Sequence, residues 1–424
     1  MKNQKAVKLG ILGLGVVGSE LVSQIVKNAS KIQMETGVSL KIEKIYVQTL
    51  HKTRSIDTTG LPLTTNIKDI ISNPSINIVC ECMGGSGFKL TRDYVLEAMT
   101  NGKHVIMSSK KALAKFAELL LITANSHNVH LKYDASVGGG IPIAKVLEHT
   151  FKGDKLLKIM GIFNATSNYI YSKMFKENLS FDAALKMAQD KGYAENDPTD
   201  DLDGYDSLYK LIILTIFGMN KVIDPSLLVP DSFAGINIKD MKYAEELGYC
   251  IKPIAIIKHE NSTIEYKIGP CLIPSEHIIA NTFNNYNTIL IEGENNGDLA
   301  FYGQGAGAKP TASAMFDDLM NLLVSPKLKK KFPFSLIDRD IITKYQSKLY
   351  WRFTVKNEVG VLSSLTGILA ENKINIEKLI QKDEQQDGIE IVLLTSMADT
   401  SIAESILYQL NESGIVNNAV IPFV

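Results

Sequence analysis

The sequence predicts an α/β protein in three parts: an N-terminal doubly wound parallel sheet, an α+β middle unit and a C-terminal ferredoxin-like βαββαβ sandwich. Three observations predict it. Residues 13–18 read Gly-Leu-Gly-Val-Val-Gly between a strand-like apolar run and a helical pattern. Strand-like and helix-like runs then alternate to about residue 150. Beyond Tyr350, strand and helix patterns follow in the order βαββαβ. The boundaries read 1–150, 151–325, a linker at 326–347, and 348–424.

At 424 residues the chain can hold two or three cores. Its 45% hydrophobic and 21% charged content is that of a globular protein. A net charge of −1 without a basic stripe gives no ground for a nucleic-acid or anionic-membrane partner. Cys80, Cys82, Cys250 and Cys271 have no zinc-ligand spacing and read as reduced thiols of a cytoplasmic protein. Cys80 and Cys82, two apart in an apolar run, share one strand face. The lysine-bearing, apolar start is broken by Gly10, Gly13, Gly15 and Gly18, so it reads as mature protein and not as a secretory signal.

Val7 to Leu12 is the first strand, and Leu21, Val22, Ile25 and Val26 mark the helix after it. Gly13, Leu14, Gly15, Val16, Val17 and Gly18 therefore form a dinucleotide-binding (Rossmann) fingerprint. A pyrophosphate must approach that backbone closely and rest on the N–H groups opening the helix. The second strand, Lys41 to Val47, ends without the acid that would bond a ribose 2′-hydroxyl. Lys52 and Arg54 follow instead and favour a 2′-phosphate, hence NADP, with NAD use left open. Ile76 to Met83 is a third strand, with Met83, Gly84 and Gly85 at the nicotinamide's approach. His104 to Met107 is a fourth, ending in Ser108, Ser109, Lys110 and Lys111. Ligands bind beyond strand carboxyl ends in such sheets. An exposed helix start and a place in the crevice are both open to the two lysines. Asn128 to Asp134 is a fifth strand. Gly138 to Gly140, before Pro142 and a helix at Lys145 to Thr150, makes either a tight turn or a cradle of carbonyls for a monovalent cation.

From Leu156 the pattern changes. A strand leads to Asn164-Ala165-Thr166-Ser167-Asn168, then to helices at Tyr169 to Phe175 and Phe181 to Gln189. The acid-rich stretch Gly192 to Lys210 precedes Leu211 to Phe217, which must be buried helix or strand. Asp203, Gly204 and Asp206 read as a capping box at a helix start. On that helix Asp206 and Lys210 share a face, either as a placed ammonium–carboxylate pair or as an ordinary surface ion pair. Ile251 to Lys258, Ile264 to Ile268 and Thr288 to Glu292 alternate like strands of an antiparallel or mixed sheet. The glycine loop around Gly305, with Pro310 near the first turn of the next helix, closes back on the nucleotide unit or serves as a connector. Ser325 to Ser347, with the basic run Lys327 to Lys331, reads as a linker. The last unit reads as strand 350–355, helix 360–371, strands 374–380 and 388–395, helix 401–413 and strand 415–424.

Together the strings ILGLGVVGSELV, CECMGGS, KHVIMSSKKALA, DASVGGGIPI, GIFNATSNYI, GYAENDPTDDLDGYDSLYK and FYGQGAGAKPTAS resemble homoserine dehydrogenase, over nearly the whole chain. The resemblance implies NAD(P)-dependent interconversion of L-aspartate 4-semialdehyde and L-homoserine, on the route to threonine, methionine and isoleucine. It implies Lys210 as proton donor, Asp206 as its neighbouring acid and Lys111 near cofactor and substrate. Glu195 would hold the substrate amino group, with Thr166 and Asp201 also at the substrate. Ser108, Lys110 and Gly305 join the cofactor set. Carbonyls of Val137, Gly139 and Ile141 would hold sodium; Asp134 stands where many relatives have Glu. The tail, VKNEVGVLSSLTGILAENKINI, looks like an ACT domain, which implies an amino-acid effector such as threonine and a homodimer or homotetramer. It carries Asn357-Glu358-Val359-Gly360 where many ACT domains have Asp-x-Pro-Gly. Two rival readings are a catalytically idle amino-acid sensor and another Rossmann oxidoreductase acting on a small amino acid.

Overall fold

A computed structural model describes residues 5–84, 87–324, 335–336, 341–385, 388–399, 402–414 and 416–420. Gly85 and the Lys327–Lys331 run lie outside the described residues.

The first sheet holds β1 (Lys5–Leu12), β2 (Val38–Tyr46), β3 (Leu63–Thr64), β4 (Ile78–Glu81), β5 (His104–Met107) and β6 (Leu131–Lys132), all parallel, in the order β3-β2-β1-β4-β5-β6. Helices cover both faces, so Leu9–Leu12 of β1 and Ile78–Glu81 of β4 are buried without alternation, as the strands of a parallel sheet are. One covering helix is Val16–Lys27; Ala308–Val324 packs beside it through Met315 and Leu319. The late glycine loop thus closes back on the nucleotide unit. Cys80 and Cys82 lie together in that core. The fifth predicted strand shrinks to Leu131–Lys132, because the backbone tightens into a 3-10 turn at Asp134–Ser136. The helix expected at 145–150 starts at Ile143 and widens into a π turn over Val146–Thr150.

The middle sheet is mixed. It holds β7 (Leu156–Ile162), β8 (Tyr249–Glu260), β9 (Thr263–Pro274), β10 (Tyr286–Gly293), β11 (Gly297–Gln304) and β12 (Ile341–Lys344), ordered β11-β10-β7-β8-β9-β12. β12 falls inside the stretch read as a linker and pairs in parallel with Thr263–Tyr266. Helix Tyr205–Met219 packs against β7, β8 and the first unit's helix Lys110–Ser126. With neighbours on all sides, its residues 206–217 are all buried, which is why LIILTIF shows no amphipathic alternation.

The C-terminal sheet holds β13 (Gln346–Val355), β14 (Ile376–Gln385), β15 (Gly388–Asp399) and β16 (Val416–Val420), ordered β14-β15-β13-β16. Side chains alternate across it. Leu349, Trp351 and Phe353 meet the helices Val361–Glu371 and Ile402–Glu412, while Tyr350, Val392 and Leu394 join the core of the middle unit.

Candidate active site

The crevice opens where β1 and β4 lie side by side and their connections depart, the switch point of a doubly wound sheet. Gly13, at φ +98°, crosses the end of β4 so closely that a Cβ would stand 2.7 Å from the Cys82 carbonyl oxygen. A Cβ on Gly18 would meet the Gly13 carbonyl oxygen at 2.2 Å. Gly15 is different: a Cβ there meets nothing within 4 Å, and no side chain caps the helix it opens. Its backbone and the unpaired N–H groups after it therefore face open space, which suits a pyrophosphate. Beyond lies a cavity of roughly 390 Å³, bordered by Leu14, Val16, Met83, Lys52 and Arg54. The Arg54 guanidinium donates to the carbonyls of Thr49, Leu50 and Lys52, so it braces its own loop.

Glu81, fully buried at the end of β4, accepts N–H bonds from Met83 at 2.7 Å, Ser108 at 3.2 Å and Ser109 at 3.0 Å. Burial pushes its carboxyl up, against those three bonds. One carboxylate thereby fixes the loops after β4 and β5. Sequence reasoning missed this role, although an acid inside the apolar run Ile78–Cys82 is its signal.

Past Gly15, Val16, Cys82 and Gly84 the space widens into a cleft of roughly 630 Å³. Val17, Ser108, Lys110, Lys111, Val137, Gly139, Glu195, Lys210 and Gly305 all border it. The two glycine loops touch here: a Cβ on Gly139 would lie 2.7 Å from the Gly305 carbonyl carbon. On the cleft wall the Lys210 ammonium donates to Asp206 Oδ2 at 2.7 Å and to the Phe163 carbonyl at 2.7 Å. The other Asp206 oxygen is ion-paired with Lys110. Asn164 Nδ2 donates to Asp206 Oδ2 at 2.9 Å and to Asp201 Oδ1 at 2.8 Å. Burial would raise the Asp206 carboxyl, but the two ammoniums hold it far below the usual carboxylate range. Burial also lowers Lys210, against the pull of Asp206. Asp201 is raised by burial and by the Asp206 charge beside it.

The expected capping box is absent. Helix Tyr205–Met219 starts from Gly204 in the left-handed region, at φ +78°, without a side-chain cap. Asp203 instead accepts from the Ser232 hydroxyl at 3.3 Å. Asp206 is turned inward to the lysines and so is spent on charge, not on capping. Lys111 pairs with Asp200 at 3.1 Å and lies 5.6 Å from the ring centres of Phe88 and Tyr209. Lys110 is thus the residue on Asp206. Glu195 is exposed at the cleft, and buried Thr166 donates its hydroxyl to the Tyr193 carbonyl at 2.7 Å. Val137 and Gly139 border the cleft, whereas Ile141 is buried and its carbonyl accepts from Ile143 N at 2.8 Å. Asp134 is turned to Lys145, at 3.1 Å. Asn164 was also missed; its signal is an Asn at a helix start, where it caps Ser167 N at 2.7 Å.

A dinucleotide crevice that runs into a cleft walled by a buried ammonium–carboxylate pair defines a nicotinamide-nucleotide-dependent oxidoreductase. The model described as the NAD binding domain of homoserine dehydrogenase matches residues 13–134, that described as homoserine dehydrogenase matches 142–320, and an ACT domain model matches 352–413. The chain is 33% identical to a homoserine dehydrogenase of Bacillus subtilis, over 97% of this chain and 96% of the relative. It is 32% identical to that of Pseudomonas aeruginosa, with 92% of each covered. A crystal structure of a homoserine dehydrogenase from Thiobacillus denitrificans superposes with a TM-score of 0.90 at 32% identity, over 98% of this chain and 97% of that one. An S. aureus homoserine dehydrogenase gives 0.80 at 30% identity, with 98% of each chain covered. The chain belongs to the homoserine dehydrogenase family and carries a C-terminal ACT domain. Among the described residues, no helix is long and apolar enough to cross a membrane.

Proposed function

We propose that this chain interconverts L-homoserine and L-aspartate 4-semialdehyde, with Lys210 moving the hydroxyl proton. One observation carries the reading: Lys210 is buried at the cleft with two of its three N–H bonds spent on Asp206 and Phe163, which leaves one for a substrate oxygen. A nicotinamide nucleotide held at Gly13–Gly18 and Gly84 would supply or accept the hydride. As the neutral amine, which burial makes easier to reach, Lys210 takes the proton from the C4 hydroxyl during oxidation, and as the ammonium it returns that proton during reduction. Lys110, on the other oxygen of Asp206, is better sited than Lys111 to stabilise the developing alkoxide. Lys111 is assigned to the mouth of the cleft. Glu195 is assigned to the substrate ammonium, and Asp201 and Thr166 to the wall behind it. Gly13–Gly18, Met83, Gly84, Ser108 and Gly305 are assigned to the nucleotide.

Lys52 beside the nucleotide cavity supports NADP over NAD; Arg54, bonded to its own loop, acts by shaping it. Hard carbonyl oxygens of Val137 and Gly139 suit a monovalent cation such as sodium. Asp134, whose Oδ2 is turned to a Lys145 ammonium shared with Asp318, is left out of that donor set. The ACT domain is assigned an amino-acid effector such as threonine, and the chain a homodimer or homotetramer. Four free, buried cysteines suit a cytoplasmic protein. Homoserine-dependent reduction of NADP, with and without threonine, tests the assignment. Tight amino-acid binding without any reduction would support an idle sensor instead, a reading that the assembled Lys210–Asp206–Lys110 set speaks against.

A further inference from the structure

The ACT sheet docks on the middle unit through a buried polar cluster that the catalytic reading does not use. Arg352 on β13 donates from Nε to Asp240 Oδ1 at 2.7 Å and from Nη2 to Asp240 Oδ2 at 3.2 Å. Its Nη1 reaches Glu390 Oε1 on β15 at 3.4 Å. Tyr350 OH donates to Asp240 Oδ1 at 3.0 Å, and Lys239 and Tyr243 hold Glu390. Arg352, Asp240 and Glu390 are each at most 5% exposed. Charges so deeply buried are tolerable only when paired, so the geometry here is tightly specified.

Asp240 has a second duty. It lies in the first turn of helix Ile238–Glu246, and its Oδ2 accepts the N–H of Asn237, the residue that caps that helix. The chain entering the cap is the 231–237 segment, which lies against the turn leading into the catalytic helix. Phe233 N donates to the Leu202 carbonyl at 2.6 Å, and the Ser232 hydroxyl to the same carbonyl at 3.2 Å. The Phe233 carbonyl is held by Tyr171 OH at 2.7 Å. Leu202 is bracketed by Asp201, bonded to Asn164, and by Asp203, bonded to Ser232. A continuous set of contacts therefore runs from the ACT sheet to the wall of the cleft.

We infer that Arg352 is a positioning residue: by fixing Asp240 and the helix cap, the ACT domain holds the Asp200–Asp203 turn in place at the substrate end of the cleft. The inference rests on the proposed function for its kinetic form, but not for its structural one. The nucleotide end is built from β1, β4 and their glycine loops, which this route does not touch. Substrate and nucleotide should therefore respond differently to its loss.

The test uses the full-length chain with Arg352→Met and, as a milder cut that keeps every charge, Tyr350→Phe. Steady-state oxidation of L-homoserine by NADP should show KM for homoserine raised about tenfold in the first and about twofold in the second. KM for NADP should stay within about twofold of the parent, a split that general loss of structure would not produce. Hydrogen exchange followed by mass spectrometry should show faster exchange across residues 199–206 in both variants. Unchanged homoserine KM and unchanged exchange in that segment would overturn the inference. So would an equal rise in both KM values. If Arg352→Met does not fold, Tyr350→Phe decides by the same two readings. If the parent enzyme itself fails to oxidise homoserine, the proposed function falls and the exchange measurement still decides the route.

Discussion

Lys210 Nζ lies 2.7 Å from Asp206 Oδ2, one turn earlier on the same helix, and both side chains are under 10% exposed. An exposed pair of this spacing contributes only a few tenths of a kcal/mol. Buried beside a second ammonium and a carbonyl, it sets the charge state of the cleft.

Replacing Lys210 by Met removes the group assigned to the proton. General acid–base catalysis contributes about 10² to 10⁴ in rate, so kcat for homoserine oxidation should fall by that order. The nucleotide end is untouched, and the dissociation constant for NADPH, read by fluorescence titration, should stay within about twofold. Near-normal turnover would move the proton to Lys110.

Asp206→Asn tests the charge arrangement through pH. The Lys110 and Lys210 ammoniums, against burial, hold the folded Asp206 pKa below its unfolded value, which is near 3.9. A depressed carboxyl contributes stability that is present above the unfolded pKa and is lost as pH falls through the folded one. Breaking a buried pair costs about 3–5 kcal/mol, so the variant should unfold at a lower temperature at neutral pH. That gap should narrow only below about pH 4. In the active enzyme, Lys210 without its anion loses its proton more readily. The rise of kcat/KM with pH in the oxidation direction should therefore move to lower pH. A rise at the parent's pH would show that another group titrates.

Gly15 and Gly18 should separate binding from folding. Alanine at Gly18 drives a methyl into the Gly13 carbonyl and should lower the melting temperature. At Gly15 the added methyl meets no protein atom. Gly15→Ala should keep its melting temperature and weaken NADP binding by about tenfold, an interaction loss near 1.4 kcal/mol. Equal effects of the two substitutions on stability would contradict an open face at Gly15.

Nucleotide choice should follow Lys52. Lys52→Ala should raise KM for NADP by about fivefold, as loss of about 1 kcal/mol of partly screened charge attraction requires, and leave KM for NAD nearly unchanged. Arg54→Ala should weaken both nucleotides together, because its guanidinium is spent on loop carbonyls. A selective loss of NADP in Arg54→Ala would reassign the phosphate contact.

Much of this protein is local and therefore legible in the sequence. The glycine fingerprint, the strands ending in Gly84 and Ser108, and the βαββαβ tail are patterns of period and punctuation within short windows. So is the one-turn spacing of Asp206 and Lys210. Spacing alone could not say that the pair is buried, that Gly204 and not a carboxylate opens the helix, or that Lys110 and not Lys111 closes on Asp206. Those depend on which surface the helix meets, and that surface comes from β7, from the Asn164 cap and from the helix after β5. Glu81 and the Arg352–Asp240 contact were likewise settled only in the folded chain. A buried charge finds partners brought close in space by packing, and the cost of leaving it unpaired, not its place in the sequence, selects them.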